Sequence, residues 1–255
     1  MELGLRDRVA LVTGGSRGIG CATSRLFAAE GARVLLTYRS DKEAADGVAS
    51  SLRASGCDAL TAPFDLRAPD TFCDVVRIAM ERWGRIDVLV NNAAHWQPMP
   101  SAWRGPFEQC PTETWQPLLR ANVEGCYAAI QQVVGVMRRQ QWGRIVNVSS
   151  AAAVDGMPEF GWYAAAKASM HGLTYTLAKE LGPEGILVNV VMPGATMTES
   201  VLAHVSSRAL ERQAASLPIR RVPDPIEVAS VILFLGSAAN SAITGEVVRA
   251  SGGRH

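Results

Sequence analysis

The chain has 255 residues, of which 48% are hydrophobic and 19% charged, as in a globular protein that needs neither disulfides nor metal to hold its core. A formal net charge of +1 gives no reason to expect nucleic acid or an acidic membrane as a partner. No apolar run approaches the roughly 18–20 residues of a membrane span, and the amino-terminal segment lacks a signal-peptide region. The five cysteines are scattered without a CxxC pair, which predicts no metal site and favours a cytoplasmic protein.

Short β-rich runs and helical stretches alternate along the whole chain. Seven nearly continuous apolar runs are predicted as strands: Arg8–Thr13, Arg33–Tyr38, Ala59–Phe64, Ile86–Asn91, Arg144–Ser149, Leu187–Val191 and Glu246–Ala250. The predicted helices are Gly18–Glu30, Asp41–Ser55, Pro69–Trp83, Thr112–Gln140, Trp162–Leu181, Glu199–Gln213 and Pro225–Leu235. This alternation predicts one α/β domain over residues 1–255, a doubly wound parallel sheet with helices on both faces. Long connections at 95–111, 151–162 and 195–223 are expected to build a ligand site.

A glycine-rich turn follows the first predicted strand directly. It reads Gly14-Gly15-Ser16-Arg17-Gly18-Ile19-Gly20, and a predicted helix begins within it. Gly14 permits a tight turn, Gly18 lets the backbone approach a pyrophosphate, and Gly20 lets helix and strand pack closely. The helix N-terminus adds N–H donors for the anion. A glycine-rich stretch alone also fits an ordinary turn, but the strand–turn–helix context favours dinucleotide binding.

A tyrosine and a lysine are separated by one helical turn near the start of another predicted helix. Residues at i and i+4 share a face, so Tyr163 and Lys167 can be neighbours, and a nearby cation makes a phenol usable as an acid or base. Only three of the 25 basic Lys and Arg residues are lysines. Ser149 and Ser150 end the preceding strand on the ligand side of the sheet, and either could take part.

The ordered set of motifs resembles the short-chain dehydrogenase/reductase family over essentially the whole chain. The motifs are TGxxxGxG from Thr13, Asp65-Leu66, Asn91-Asn92-Ala93-Ala94, Asn122, Ser150, Tyr163, Lys167, Pro193-Gly194 and Ile243-Thr244-Gly245. The resemblance implies a Rossmann fold, a nicotinamide cofactor and a homotetramer or dimer. It is closest to 3-oxoacyl-carrier-protein reductases and to ketoreductases of polyketide biosynthesis, including antibiotic biosynthesis. One departure is that the family's NNAG motif ends in Ala94 here.

The same resemblance implies four catalytic roles. Tyr163 would protonate the substrate carbonyl oxygen, and Ser150, selected over Ser149 by the family spacing, would hydrogen-bond that oxygen. Lys167 would hold the nicotinamide ribose and lower the pKa of Tyr163. Asn122 would hold a water that relays protons to Lys167. All four being present argues against a non-catalytic NADP-binding regulatory protein.

The cofactor contacts implied by the resemblance run along the carboxyl ends of the strands. They are Gly14, Ser16, Arg17, Gly18, Ile19, Gly20, Tyr38, Arg39, Ser40, Asp65, Leu66, Asn92, Ala93, Ala94, Tyr163, Lys167, Pro193, Gly194, Thr196 and Thr198. The second strand ends without the acid that bonds the ribose 2′-hydroxyl of NAD. Arg39 and Arg17 are placed to meet a 2′-phosphate instead, which favours NADPH over NADH.

The substrate is expected to be a ketone, either free or bound to a carrier protein. Its predicted contacts are Ser150, Trp96, Trp103, Met157, Trp162 and Tyr163. The flat rings could stack on a polycyclic aromatic ketone, although sealing the core or a subunit contact is the more common role of any single tryptophan. One alternative substrate is a 3-oxoacyl thioester, which would be reduced. Another is a different secondary alcohol, which would be oxidised in the reverse reaction. A carrier protein would need a basic patch, for which Arg138, Arg139, Arg220 and Arg221 are candidates.

Overall fold

The computed structural model describes residues 2–96 and 106–253, and within them seven parallel strands form one sheet. The strands are β1 (Val9–Val12), β2 (Arg33–Tyr38), β3 (Ala59–Pro63), β4 (Val88–Asn91), β5 (Gly143–Val148), β6 (Ile186–Pro193) and β7 (Val247–Ala250). Their order is β3-β2-β1-β4-β5-β6-β7, so the predicted doubly wound sheet is confirmed. The winding direction reverses between β1 and β4, and a crevice opens at the carboxyl ends of strands at such a point.

Helices cover both faces of the sheet. They are α1 (Gly18–Ala29), α2 (Lys42–Ala54), α3 (Phe72–Trp83), α4 (Thr112–Gln140), α5 (Ala152–Asp155), α6 (Gly161–Leu181), α7 (Glu199–His204), α8 (Ser207–Ser216) and α9 (Pro225–Leu235). Phe27 of α1 and Ile232 of α9 belong to one buried apolar layer, whereas Phe72 of α3 and Ile130 of α4 belong to the other. None of the helices in the described ranges is long and apolar enough to cross a membrane.

Two predicted segments differ from the structure. The helix predicted over Glu199–Gln213 is two helices, because Ser206 is extended (φ −65°, ψ 148°) and its side chain accepts a hydrogen bond from Ala209 N as the N-cap of α8. A serine at an N-cap stabilises a helix start and so competes with helix continuation. The connection 151–162 also contains the short helix α5.

Candidate active site

A cleft at the carboxyl ends of the central strands brings together ten of the predicted site residues. Those that line it are Ile19, Asn92, Ala94, Ser150, Tyr163, Lys167, Pro193, Gly194, Thr196 and Thr198. They come from the turn after β1, the segment after β4, the end of β5, the start of α6 and the segment after β6. The cleft thus lies where the parallel topology predicts a ligand site.

The glycine-rich turn has the shape that a phosphate cradle requires. Gly14 and Gly18 have φ values of +63° and +53°, which disfavour any side chain. A Cβ at Gly20 would lie 2.2 Å from the carbonyl oxygen of Gly14 and 2.5 Å from Asn92 Nδ2. The turn therefore needs its glycines for conformation and for close packing.

The N-terminus of α1 already holds an anionic group of the chain itself. The Arg17 side chain makes no capping hydrogen bond, and Gly18 N–H donates to Glu199 Oε2 over 3.1 Å. Unsatisfied N–H groups and the helix dipole attract negative charge at such an end. The chain's own carboxylate there shows that this helix end accepts an anionic group.

Asn92 and Thr13 brace the turn from the neighbouring strand. Asn92 Nδ2 donates to the carbonyl oxygens of Thr13 (2.9 Å) and Gly14 (3.1 Å). Thr13 Oγ1 accepts from the backbone N–H groups of Asn92 and Ala93, each over 3.0 Å. Asn92, expected as a cofactor contact, therefore lines the cleft with its amide N–H groups committed to holding the turn.

Tyr163 and Lys167 lie one turn apart on α6, with Lys167 Nζ 5.9 Å from the tyrosine ring centroid. Lys167 is only 2% exposed, and its Nζ donates to the carbonyl oxygen of Val148 over 2.8 Å. No carboxylate in the described part of the chain pairs with this buried ammonium. An ammonium has three donors, so it keeps N–H groups for a ligand in the cleft.

The two adjacent serines, Ser149 and Ser150, form hydrogen bonds with different partners. Ser149 Oγ donates to the carbonyl oxygen of Lys167 (3.0 Å) and lies 2.8 Å from His171 Nε2, which ties it to α6. Ser150 Oγ accepts from Ala152 N over 3.2 Å and lines the cleft. Accepting that bond leaves the Ser150 hydroxyl proton free to be donated. The packing therefore favours Ser150 as the group that meets a substrate oxygen.

Asn122 joins α4 to the segment that follows β4. It is 1% exposed, its Oδ1 accepts from His95 N, and its Nδ2 donates to the carbonyl oxygens of His95 and Leu118, at 2.9, 2.9 and 2.8 Å. Both N–H donors are thus used, and one lone pair of Oδ1 remains. In this structure Asn122 fixes the backbone of His95.

Charged side chains cluster at the carboxyl ends of β2 and β3. Arg39 Nη1 lies 3.1 Å from His95 Nδ1. Arg67 makes a two-pronged contact with Asp65, at 3.0 Å for Nε and 2.6 Å for Nη2 to Oδ2, and this contact lowers the pKa of Asp65. Sequence reasoning missed both His95 and Arg67. The only local signals were that His95 directly follows Asn91-Asn92-Ala93-Ala94 and that Arg67 directly follows Asp65-Leu66.

The other predicted cofactor contacts lie at the same edge of the sheet. Ser16 precedes α1, Tyr38 ends β2, and Ser40 follows it by two residues. Leu66, after β3, is buried against Gly125 of α4, where a Cβ would lie 2.4 Å from Leu66 Cδ2.

An aromatic cluster adjoins Tyr163. Trp96, which is 42% exposed, stacks on Phe160 (centroids 4.8 Å apart, interplanar angle 15°) and meets Tyr163 edge-on (4.9 Å, 84°). Trp162 is buried beside them, and its Nε1 has no hydrogen-bond partner among the described residues. Met157 is exposed in the connection before α6. Trp103, also predicted as a substrate contact, lies outside the described residues.

The four arginines considered for carrier-protein docking do not form one patch. Arg138 and Arg139 end α4 just before β5, at the amino-terminal edge of the sheet, where Arg138 pairs with Glu184 at 3.2 Å. Arg220 and Arg221 follow β6 at the opposite edge, and Arg221 pairs with Glu227. Parallel strands separate their amino and carboxyl ends by the length of the strand, so only the second pair is on the side of the cleft.

Comparisons with known proteins agree with this fold. The family model described as enoyl-(acyl carrier protein) reductase matches residues 14–255. The chain is 39% identical over 254 residues to the 3-oxoacyl-[acyl-carrier-protein] reductase of Thermotoga maritima, with 98% of each chain covered. It is 36% identical over 253 residues to the Synechocystis protein of that name, covering 98% of this chain and 97% of the relative. A solved structure titled as a short chain dehydrogenase/reductase family protein matches with a TM-score of 0.85 and 36% identity over 99% of this chain and 98% of its own. The chain belongs to the short-chain dehydrogenase/reductase family and is an oxidoreductase that uses a nicotinamide cofactor.

Proposed function

We propose that the protein is an NADPH-dependent ketoreductase in which Tyr163 is the general acid. The observation that carries this proposal is the buried Lys167 ammonium, which lies one helical turn from Tyr163 in the cleft and is paired with no carboxylate in the described chain. A neighbouring cation favours the phenolate that remains after the proton is given up.

Three side chains, Tyr163, Ser150 and Lys167, then have different roles in reduction of the substrate carbonyl. The chemistry that the cofactor supplies when bound is hydride transfer to the carbonyl carbon. Tyr163 Oη gives its proton to the carbonyl oxygen, and Ser150 Oγ–H donates a hydrogen bond to that oxygen. Lys167 stabilises the developing phenolate and offers its remaining N–H groups to the ribose hydroxyls of the cofactor. In the reverse direction Tyr163 removes the proton of the alcohol.

The charge at the end of β2 supports NADPH as the cofactor. Arg39 is the residue after β2, no acid takes the ribose-binding place, and Arg17 lies in the turn above α1. A charge-assisted bond to a 2′-phosphate contributes about 1.5–3 kcal/mol. Arg39→Ala should therefore raise the Kd for NADPH roughly 10- to 100-fold and change the Kd for NADH little. Fluorescence titration of both nucleotides measures this, and an equal loss for both would contradict the NADPH assignment.

Two substrate classes have separate support. The relatives named 3-oxoacyl-[acyl-carrier-protein] reductases support a 3-oxoacyl thioester carried by a protein. The exposed face of Trp96, held edge-on to Tyr163, favours a flat aromatic ketone such as a polycyclic polyketide. Turnover with both classes, followed by the absorbance of reduced nicotinamide, decides between them.

Trp96 offers a variant that separates these classes further. Trp96→Ala removes the stacking surface, so kcat/KM for a bicyclic aromatic ketone should fall roughly tenfold, equivalent to about 1.4 kcal/mol. The value for an acetoacetyl thioester should change by less than about threefold. Phe107→Ala, which removes an exposed ring before α4, is the control. If both substrates lose activity equally, Trp96 does not select aromatic ketones.

A further inference from the structure

We propose that His95 is a specificity-determining residue for the cofactor: it orients Arg39 in the free protein and, once protonated, becomes a second cationic ligand of the adenosine 2′-phosphate. The inference rests on the proposed NADPH preference and extends it to a residue that no motif assigns. It makes the choice between NADP⁺ and NAD⁺ depend on pH.

The position of His95 is fixed independently of its ring. Asn122 holds its backbone by two hydrogen bonds, each 2.9 Å long: His95 N–H donates to Asn122 Oδ1, and Asn122 Nδ2 donates to the His95 carbonyl oxygen. Asn122 is itself buried in α4. His95 therefore keeps its place after β4 when the side chain changes, and a variant at this position tests the ring alone.

The His95 ring meets Arg39 across the first strand. Arg39 follows β2 and His95 follows β4, and these strands flank β1 in the sheet. The 3.1 Å contact between Arg39 Nη1 and His95 Nδ1 thus spans the carboxyl end of β1, where the glycine-rich turn begins. Both side chains border the place where the adenosine half of a dinucleotide is expected, because a Rossmann fold binds it on this side of the switch point.

The chemistry of this contact admits only one protonation state. A guanidinium has donors and no acceptor, so Nδ1 of His95 must carry a lone pair while it contacts Arg39. A protonated ring has donors on both nitrogens and would repel the arginine. The contact therefore corresponds to a neutral His95, with the Arg39 guanidinium held against its ring.

The groups that face His95 agree with a neutral ring. Arg39 comes from the end of β2, and Arg67 and Asp65 come from the segment after β3. Burial, Arg39 and Arg67 lower the pKa of His95, in that order, whereas Asp65 opposes them. Asp65 is already paired with Arg67, so the net local charge disfavours protonation.

A bound 2′-phosphate would instead favour the protonated form of His95. Its charge of about −1.5 to −2 gives Arg39 an acceptor other than His95, and a protonated His95 can donate to the same phosphate. The phosphate raises the pKa of His95 above its free value, so binding of NADP⁺ takes up a proton at pH values between the two. The contribution of His95 is present below the free pKa and is lost as pH rises through the pKa of the complex. NAD⁺ has a hydroxyl at this place and provides no such charge.

The test compares NADP⁺ and NAD⁺ binding to the wild type, His95→Gln and the control His204→Gln, which changes an exposed histidine of α7. From about pH 8 to pH 6.5 the ratio of Kd for NAD⁺ to Kd for NADP⁺ should rise roughly fivefold in the wild type and in the control. In His95→Gln the ratio should stay level or fall, because the phosphate itself gains a proton near pH ~6. Calorimetry in buffers of different ionisation enthalpy should find more proton uptake with NADP⁺ in the wild type than in His95→Gln.

The outcomes separate this inference from the proposed function. If the wild type prefers NADP⁺ and Arg39→Ala abolishes that preference, but His95→Gln keeps the wild-type pH profile, the role of His95 is overturned and the cofactor assignment stands. If the wild type does not prefer NADP⁺ at any pH, the cofactor assignment itself fails. Wild-type calorimetry with NADP⁺ and NAD⁺ remains decisive even if His95→Gln does not fold, because equal proton uptake with the two nucleotides also overturns the inference.

Discussion

Replacing Tyr163 with phenylalanine should lower kcat roughly 10²- to 10⁴-fold, the range that a positioned general acid contributes. The variant removes only the hydroxyl that gives its proton to the carbonyl oxygen. The ring that packs edge-on against Trp96 and Trp162 stays, so the cleft keeps its shape. The Kd for NADPH should change less than about threefold, because Lys167 keeps its bond to Val148.

Stopped-flow and steady-state turnover with the preferred ketone measure this loss, and nucleotide titration measures the Kd. Tyr175→Phe is a matched control on the same helix, since Tyr175 is half exposed and three turns beyond Tyr163. The control should keep wild-type kcat. Turnover of Tyr163→Phe at close to the wild-type rate would show that another group protonates the carbonyl oxygen.

The sheet could be predicted because parallel strands buried on both faces are short continuous apolar runs. β2, for example, has the predicted bounds, Arg33–Tyr38. The break between α7 and α8 was missed because the helical pattern runs through Ser206, and only its extended backbone shows that it caps a new helix. Sequence periodicity indicates which face of a helix is buried, but it does not indicate where one helix ends and the next begins.

The positions of the candidate catalytic groups were predictable in part. Tyr163 and Lys167 share a helix, so their proximity follows from spacing alone. The choice between Ser149 and Ser150 depends on contacts with α6, including His171, 22 residues from Ser149 along the chain. The contact of His95 with Arg39 joins residues 56 positions apart, and no local pattern encodes such a pair. The four arginines considered as candidates for a docking patch lie at opposite edges of the sheet, because Arg138 and Arg139 precede β5 whereas Arg220 and Arg221 follow β6.

The second large effect is expected at Gly20, where alanine should weaken NADPH binding roughly 10- to 100-fold and lower the free energy of unfolding by about 1–3 kcal/mol. The added Cβ would lie 2.2 Å from the carbonyl oxygen of Gly14, which belongs to the backbone of the phosphate turn. To remove this steric clash, α1 must move away from β1 or the turn must change its shape. Either movement displaces the N–H groups at the start of α1 and the amide of Asn92 that braces the turn.

Gly47→Ala is the matched control, because Gly47 lies exposed in α2 with nothing within 4 Å of an added Cβ. Alanine has the higher helix propensity, so this variant should raise the free energy of unfolding by about 0.5–1 kcal/mol and leave the Kd for NADPH unchanged. Denaturant unfolding and nucleotide titration of both variants give the comparison. If Gly20→Ala bound NADPH with wild-type affinity, the glycine turn would not be the pyrophosphate cradle, since the same Cβ cannot be accommodated without moving the atoms assigned to hold the anion.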